Sequence, residues 1–185
     1  MRMKQSSYNK VFWVLILAIF SFSCSSNLDF NQVNDLKLEP VVLANLAYFD
    51  VPANQFVTNG IEQSLLLSES TIDIFKDSSF NNRLVKADFY FEVNNTINRA
   101  YSIDLVMLDV NNFPVYNIHL NVPSYTGVEN LVKKTEIFEN SNLDLLKKTR
   151  KIVFTIKMLA GPPLTETSLG SLKLRSSATA YLVLQ

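Results

Sequence analysis

Three groups of side chains in this 185-residue chain have the chemistry for a reaction centre: the single cysteine, the single histidine and a knot of carboxylates. Cys24 stands in "LILAIFSFSCSSNLDF" and His119 in "VYNIHLNV". A nucleophilic thiol needs a base to take its proton, and the one histidine lies 95 positions further along. A disulfide within the chain needs a second cysteine. Zinc takes three or four clustered ligands, which one cysteine and one histidine do not supply. Calcium can be held by oxygen alone, but the chain has no D-x-[DN]-x-[DN]-G loop. A general base needs an orienting partner. Alternation puts His119 between Asn117 and Asn121 on a polar strand face, where it reads as a solvated histidine. Glu136, Glu139 and Asp144 crowd around a predicted helix start. Paired carboxylates hydrolyse glycosides only when fixed across a cleft, so these read as a solvated acidic face. The serines of "SSATAY" and "SLLLSES" lie in no G-x-S-x-G elbow. The sequence therefore predicts no catalytic residue, no metal site and no enzyme.

What surrounds Cys24 gives it another use. Residues 1–10 carry Arg2, Lys4 and Lys10 and no acid, and an apolar run from Val11 follows, broken only by Ser21. A basic start and a short apolar run form a secretory signal; a membrane-spanning helix needs about 20 apolar residues. Cys24 follows small Ser23 at the end of that run. This resembles the lipobox of bacterial lipoproteins, in which the cysteine is acylated and becomes the first mature residue. The usual Leu three places before the cysteine is Ser21 here. The alternative is an ordinary signal peptide cut elsewhere, with Cys24 incidental. The resemblance implies a covalent lipid on Cys24 and no other cofactor. One acyl chain binds a membrane marginally, and two or three hold it stably.

Residues 1–23 hold three of the 17 Lys and Arg and none of the 17 Asp and Glu, which leaves residues 24–185 with a net charge of −3. Such a balance offers no footprint for nucleic acid. Residues 25–35, "SSNLDFNQVND", read as a tether, so the chain divides into a signal (1–23), an acylated cysteine and tether (24–35), and one domain (36–185).

That domain reads as β. In "LVKADFYFEVNN", Val85, Ala87, Phe89, Phe91 and Val93 alternate with polar residues, the mark of a strand with one buried face. "LKLEPVVLANLAYFDVP" predicts an early edge strand with Pro40 at its start or at a bulge. Residues 52–70 read as a loop-rich insertion, and "TIDIF" (71–75) as a short strand. "YSIDLVMLDV", apolar on both faces from Leu105 to Leu108, predicts a central strand. "NNFP" turns it into a strand carrying Tyr116, Ile118, Leu120 and Val122 on one face. "SNLDLLKKT" (141–149) predicts a short crossover helix capped by Ser141, and "KIVFTIKML" and "GSLKLRSSATAYLVLQ" return to alternation. About seven strands and one helix imply a mainly β protein, an antiparallel two-sheet β-sandwich. The order resembles Ig-like sandwiches. The stretch "FEVNNTINRAYSIDLVMLDVNNFPVY" also resembles the water-stress (late embryogenesis abundant, type 2) sandwich.

Phe56, Tyr90, Phe113 and Tyr181 fall on loops or otherwise polar faces, and exposed aromatics on such faces mark partner surfaces. With its signal, cysteine, polar tether and "ADFYFEVNNTINRAYSIDLVMLD", the chain resembles the small outer-membrane lipoproteins of Bacteroidota. In that phylum a run of acids after the cysteine sends lipoproteins to the cell surface, and "CSSNLDF" has only Asp29. The resemblance thus implies an outer-membrane lipoprotein facing the periplasm. It also implies a non-enzymatic accessory subunit of a large outer-membrane β-barrel protein, as in type IX secretion or barrel assembly. The alternative is a surface ligand- or glycan-binding lipoprotein, although the only Trp, Trp13, lies in the signal.

Overall fold

A computed structural model describes residues 12–13, 38–63, 65–71 and 74–184. The chain divides into two units, residues 1–36 and 37–185. In the first, Phe12 and Trp13 are helical. Cys24 and the tether lie outside the described residues.

The second unit contains β1 (Val41–Pro52), β2 (Val57–Thr58), β3 (Ile61–Glu62), β4 (Leu65–Thr71), α1 (Ser78–Arg83), β5 (Leu84–Asn95), β6 (Tyr101–Leu108), β7 (Pro114–Val122), β8 (Leu131–Phe138), α2 (Asn140–Lys148), β9 (Lys151–Met158) and β10 (Ser171–Leu182). The sheets are antiparallel and run β1-β10-β5-β8 (sheet 1) and β4-β9-β6-β7 (sheet 2), beside a ribbon β2-β3. The eight sheet strands nest like a folded-over hairpin. The first pairs with the last, the second with the seventh, the third with the sixth and the fourth with the fifth. Two four-stranded sheets built this way form a jelly roll. The two-sheet sandwich is as the sequence predicts, and nesting takes the place of an Ig-like order because two further strands complete the roll.

Those strands are β4 and β8. β4 lies within the expected insertion, and "TIDIF" contributes only its first residue to it before a 3-10 turn at Ile74–Lys76. β8 hid because its inward positions include Lys134 and Glu136. α1 was also unannounced. Asp77 starts it, its carboxylate accepting from the amides of Ser79 (2.7 Å) and Phe80 (3.3 Å).

The core fills from both inner faces. Phe89, Phe91 and Val93 of β5 share one buried cluster with Ile103, Leu105 and Met107 of β6 and Ile152, Phe154 and Ile156 of β9. Each such side chain stabilises the fold by about 1.5–3 kcal/mol on burial. Val85 departs from the predicted face. The pairing slips between Tyr181 and Leu182, which buries Leu84 and turns Val85 to solvent. β6 is central as predicted, with Val106 and Leu108 only half-buried. α2 begins at Asn140 with Glu139 as N-cap and no side-chain cap, so the predicted Ser141 cap does not form; Leu143 and Leu146 bury its inner side. The β6–β7 turn uses Asn112 at φ 62° and the Asp109 carboxylate, which accepts from the amides of Asn111 (2.8 Å) and Phe113 (2.9 Å).

Candidate functional site

The outer face of sheet 1 carries exposed Tyr48 and half-buried Tyr90 and Tyr181. Cross-strand rows can be read straight from the register. One runs Val41–Tyr181–Lys86, the next Leu43–Thr179–Asp88–Ile137, then Asn45–Ser177–Tyr90–Thr135, then Tyr48–Arg175–Glu92–Lys133. Each of three neighbouring strands thus contributes one tyrosine to a single face.

Paired charges tie two of them down. The Tyr181 hydroxyl donates to Asp88 (3.0 Å), and Lys86, 3.2 Å from the same carboxylate, lies 4.9 Å over the Tyr181 ring. That hydrogen bond to Asp88 raises the phenol pKa, and the Asp88 contact likewise raises that of Lys86. The Tyr90 hydroxyl donates to Glu92 (3.1 Å), which also meets Lys133 at 3.8 Å. Burial first and Glu92 second raise the Tyr90 pKa. Lys173 holds Asp50 at 3.0 Å and pulls its carboxyl below the usual range. Acids and bases alternate across the face, which therefore selects no strongly charged partner. Tyr48 is the freest of the three tyrosines, 64% exposed.

Tyr48 escaped the sequence reading because "VVLANLAYF" looks like a strand buried on both sides. The register of β1 shifts between Asn45 and Ala47, and this bulge re-aims Tyr48 outward. The Ser176 hydroxyl accepts from the Ala47 amide and donates to its carbonyl, both at 2.9 Å, and so satisfies the groups the bulge frees. A shallow depression of about 370 Å³ lies here, lined by Asn45, Leu46, Ala47, Tyr48, Arg175 and Ser176.

The structure separates the other predicted residues. Phe113 is exposed, but on the β6–β7 turn of sheet 2. Phe56 is not a surface residue at all. A 3-10 turn (Ala53–Phe56) tucks its ring into the core, fully buried, 4.9 Å from the ring of Tyr101. Its polar sequence neighbours hid this.

No family model matches the chain, and no curated protein matches it. Among solved structures, the infectious bursal disease virus Gx strain gives a TM-score of 0.44 at 10% identity, covering 77% of this chain and 32% of that one. A protein from Parabacteroides distasonis gives 0.42 at 17% identity, over 63% and 37%. The enzymatically active domain of bacteriophage CBA120 tailspike protein 4 gives 0.36 at 10% identity, over 75% and 19%. The chain spans about a third of the length of the first two. At these scores the likenesses carry no functional conclusion.

His119 has the partners the sequence could not show. Its Nδ1 meets Asp104 of the neighbouring strand at 2.7 Å and its Nε2 meets Asn121 at 2.9 Å. Two oxygen acceptors favour the doubly protonated ring, and the pKa is raised, first by Asp104 and then by Asn121. Both ring nitrogens are therefore engaged by side-chain oxygens. The expected solvated acidic face holds for Glu139 and Asp144 but not for Glu136, which turns inward. Glu136 accepts from the Tyr116 hydroxyl (2.5 Å), holding that phenol's pKa up at about 12, while Glu139 and Asp144 are exposed. Among the described residues no cluster of three or more His, Cys, Asp or Glu could hold a metal ion, and no helix is long and apolar enough to cross a membrane.

A buried charge stitches the opposite end of the roll. Arg99 donates to the Leu159 carbonyl (2.6 Å) and to that of Pro162, and pairs with Glu62 at 3.0 Å. A Cβ on Gly161 would stand 3.0 Å from the Arg99 Cδ, so glycine lets this loop close. These contacts tie the loops at this end of the roll together.

Proposed function

We propose that this protein is a lipid-anchored, non-catalytic docking subunit, tethered through Cys24 at the periplasmic face of the outer membrane and bound to a large β-barrel protein. The observation that carries the reading is the tyrosine face: Tyr48, Tyr90 and Tyr181 project from three adjacent strands of one sheet. Tyrosine supplies large contact area with a polar tip, and protein interfaces are enriched in it. Interleaved charges favour a partner surface that is mixed and not strongly charged. The sequence around Cys24 supports the anchor, and a tether raises the local concentration of the domain beside any barrel in the same membrane.

Purification of the full chain from its own membranes in mild detergent tests the reading. A large barrel protein is expected to co-purify with the wild type and to be lost from Tyr48→Ala/Tyr181→Ala. A chain that elutes alone and binds polysaccharide overturns it, as does undiminished co-purification with the double variant.

A further inference from the structure

Among the described residues, one edge of sheet 1 has no cover and no charge between Pro40 and its bulge. Among the described residues β1 pairs with β10 alone, and its residues 41–49, "VVLANLAYF", carry no charge. Val41, Leu43 and Tyr48 are all well exposed. Natural sheets blunt edges with charges, prolines, bulges or covers, because bare backbone donors and acceptors recruit another strand.

The hydrogen-bond phase shows which groups are on offer. Leu38 and Leu184 exchange amide–carbonyl bonds (3.3 and 2.9 Å), and the Leu182 amide donates to the Pro40 carbonyl (3.0 Å). Antiparallel pairs alternate, so Val42 and Ala44 also turn their backbone groups toward β10. Val41, Leu43 and Asn45 then turn theirs outward. Pro40 bounds this stretch on one side and the bulge after Asn45 on the other.

We infer that β1 pairs with β1 of a second copy of this chain, antiparallel about a two-fold axis through Leu43. Leu43 then faces its own copy, Val41 faces the copy's Asn45, and Val42 faces its Ala44. The three outward-facing pairs each exchange both backbone bonds, and the Leu43 side chains meet on the outer face. A stretch without charge or proline, centred on an apolar residue, is its own complement, as a closed two-fold interface demands. Pairing joins two copies of sheet 1 into one eight-stranded sheet and sets two tyrosine faces side by side. Five residues bury less than the about 1,000 Å² of a free-standing interface, so association relies on copies held at high local concentration. This inference rests on the membrane tether of the proposed reading but does not need a barrel partner.

The test introduces Leu43→Cys into the full chain in its own membranes. Across a hydrogen-bonded antiparallel pair the Cα atoms lie about 5.5 Å apart, inside the about 4.4–6.8 Å span of a disulfide. Mild oxidation is expected to give about tenfold more disulfide-linked species of doubled mass than Leu169→Cys, a thiol at a distant exposed loop. Adding Val41→Lys to Leu43→Cys, which places a lysine beside each end of the seam, is expected to abolish the doubled species. Equal yields from the two cysteine positions, a link to a different protein, or indifference to Val41→Lys overturns the inference. Barrel co-purification lost while the Leu43→Cys dimer persists removes only the docking reading.

Discussion

The two edges of sheet 1 meet the same physical problem in opposite ways. β8 turns Lys134 and Glu136 inward, toward the gap between the sheets, where they pair at 3.4 Å. Glu136 also holds the Tyr116 hydroxyl, and Lys134 donates to the His119 carbonyl of β7 at 3.3 Å. Behind them Phe138 is fully buried, in edge-on contact with Phe89 (5.0 Å) and Tyr116 (5.1 Å). The β8 flank is thus closed by charge on its rim and aromatic packing inside. β1 has neither device, only a bulge. In one sheet, inward charges make an edge unattractive to other strands, and their absence leaves the opposite edge available.

The comparison breaks first at Phe138. Phe138→Ala removes the ring that seats β8 and is expected to cost about 3–5 kcal/mol, read as a lower urea midpoint with unchanged slope. On the β1 side the corresponding weak point is Ser176. Ser176→Ala strands the amide and carbonyl of Ala47 in a half-buried bulge, at about 1–3 kcal/mol, read in the same denaturation. The smallest effect concerns the β7 strand beside β8. The folded-state pKa of His119 lies above its ordinary value of 6.5, so the stability from its Asp104 bond is fully present below about 6.5. That stability fades as pH rises through the folded-state value. His119→Gln is expected to lower the melting temperature more at pH 5.5 than at pH 8.5; an equal loss at both assigns the contact to packing alone.

Alternation made most of the roll legible. Strands with one clean apolar face, such as β5, β7 and β9, can be read from sequence because the period-2 rule applies without exception along most of their length. β8 was illegible because Lys134 and Glu136 occupy inward positions, which the same rule assigns to apolar residues. The candidate face was half legible. Tyr90 and Tyr181 showed themselves by standing among polar neighbours. Tyr48 depended on a bulge that no local pattern announces, and Phe56 was misread because burial follows from the turn and not from its polar neighbours. The Asp104–His119 contact required the register of β6 against β7, which single-strand patterns leave open.

The nested pairing also sets an order of events in time. Chains emerge N-terminus first, yet within the roll β1 pairs with β10, the strand most distant from it in sequence. Contacts between distant segments close slowly, because the loop entropy is spent before any bond rewards it. β6 and β7, joined by a short turn, can zip while the rest of the chain is still arriving. The strand with the barest apolar edge is therefore the one that waits longest for its partner. During that interval a holding chaperone, or the β1 of a neighbouring chain, competes directly with correct closure of the roll.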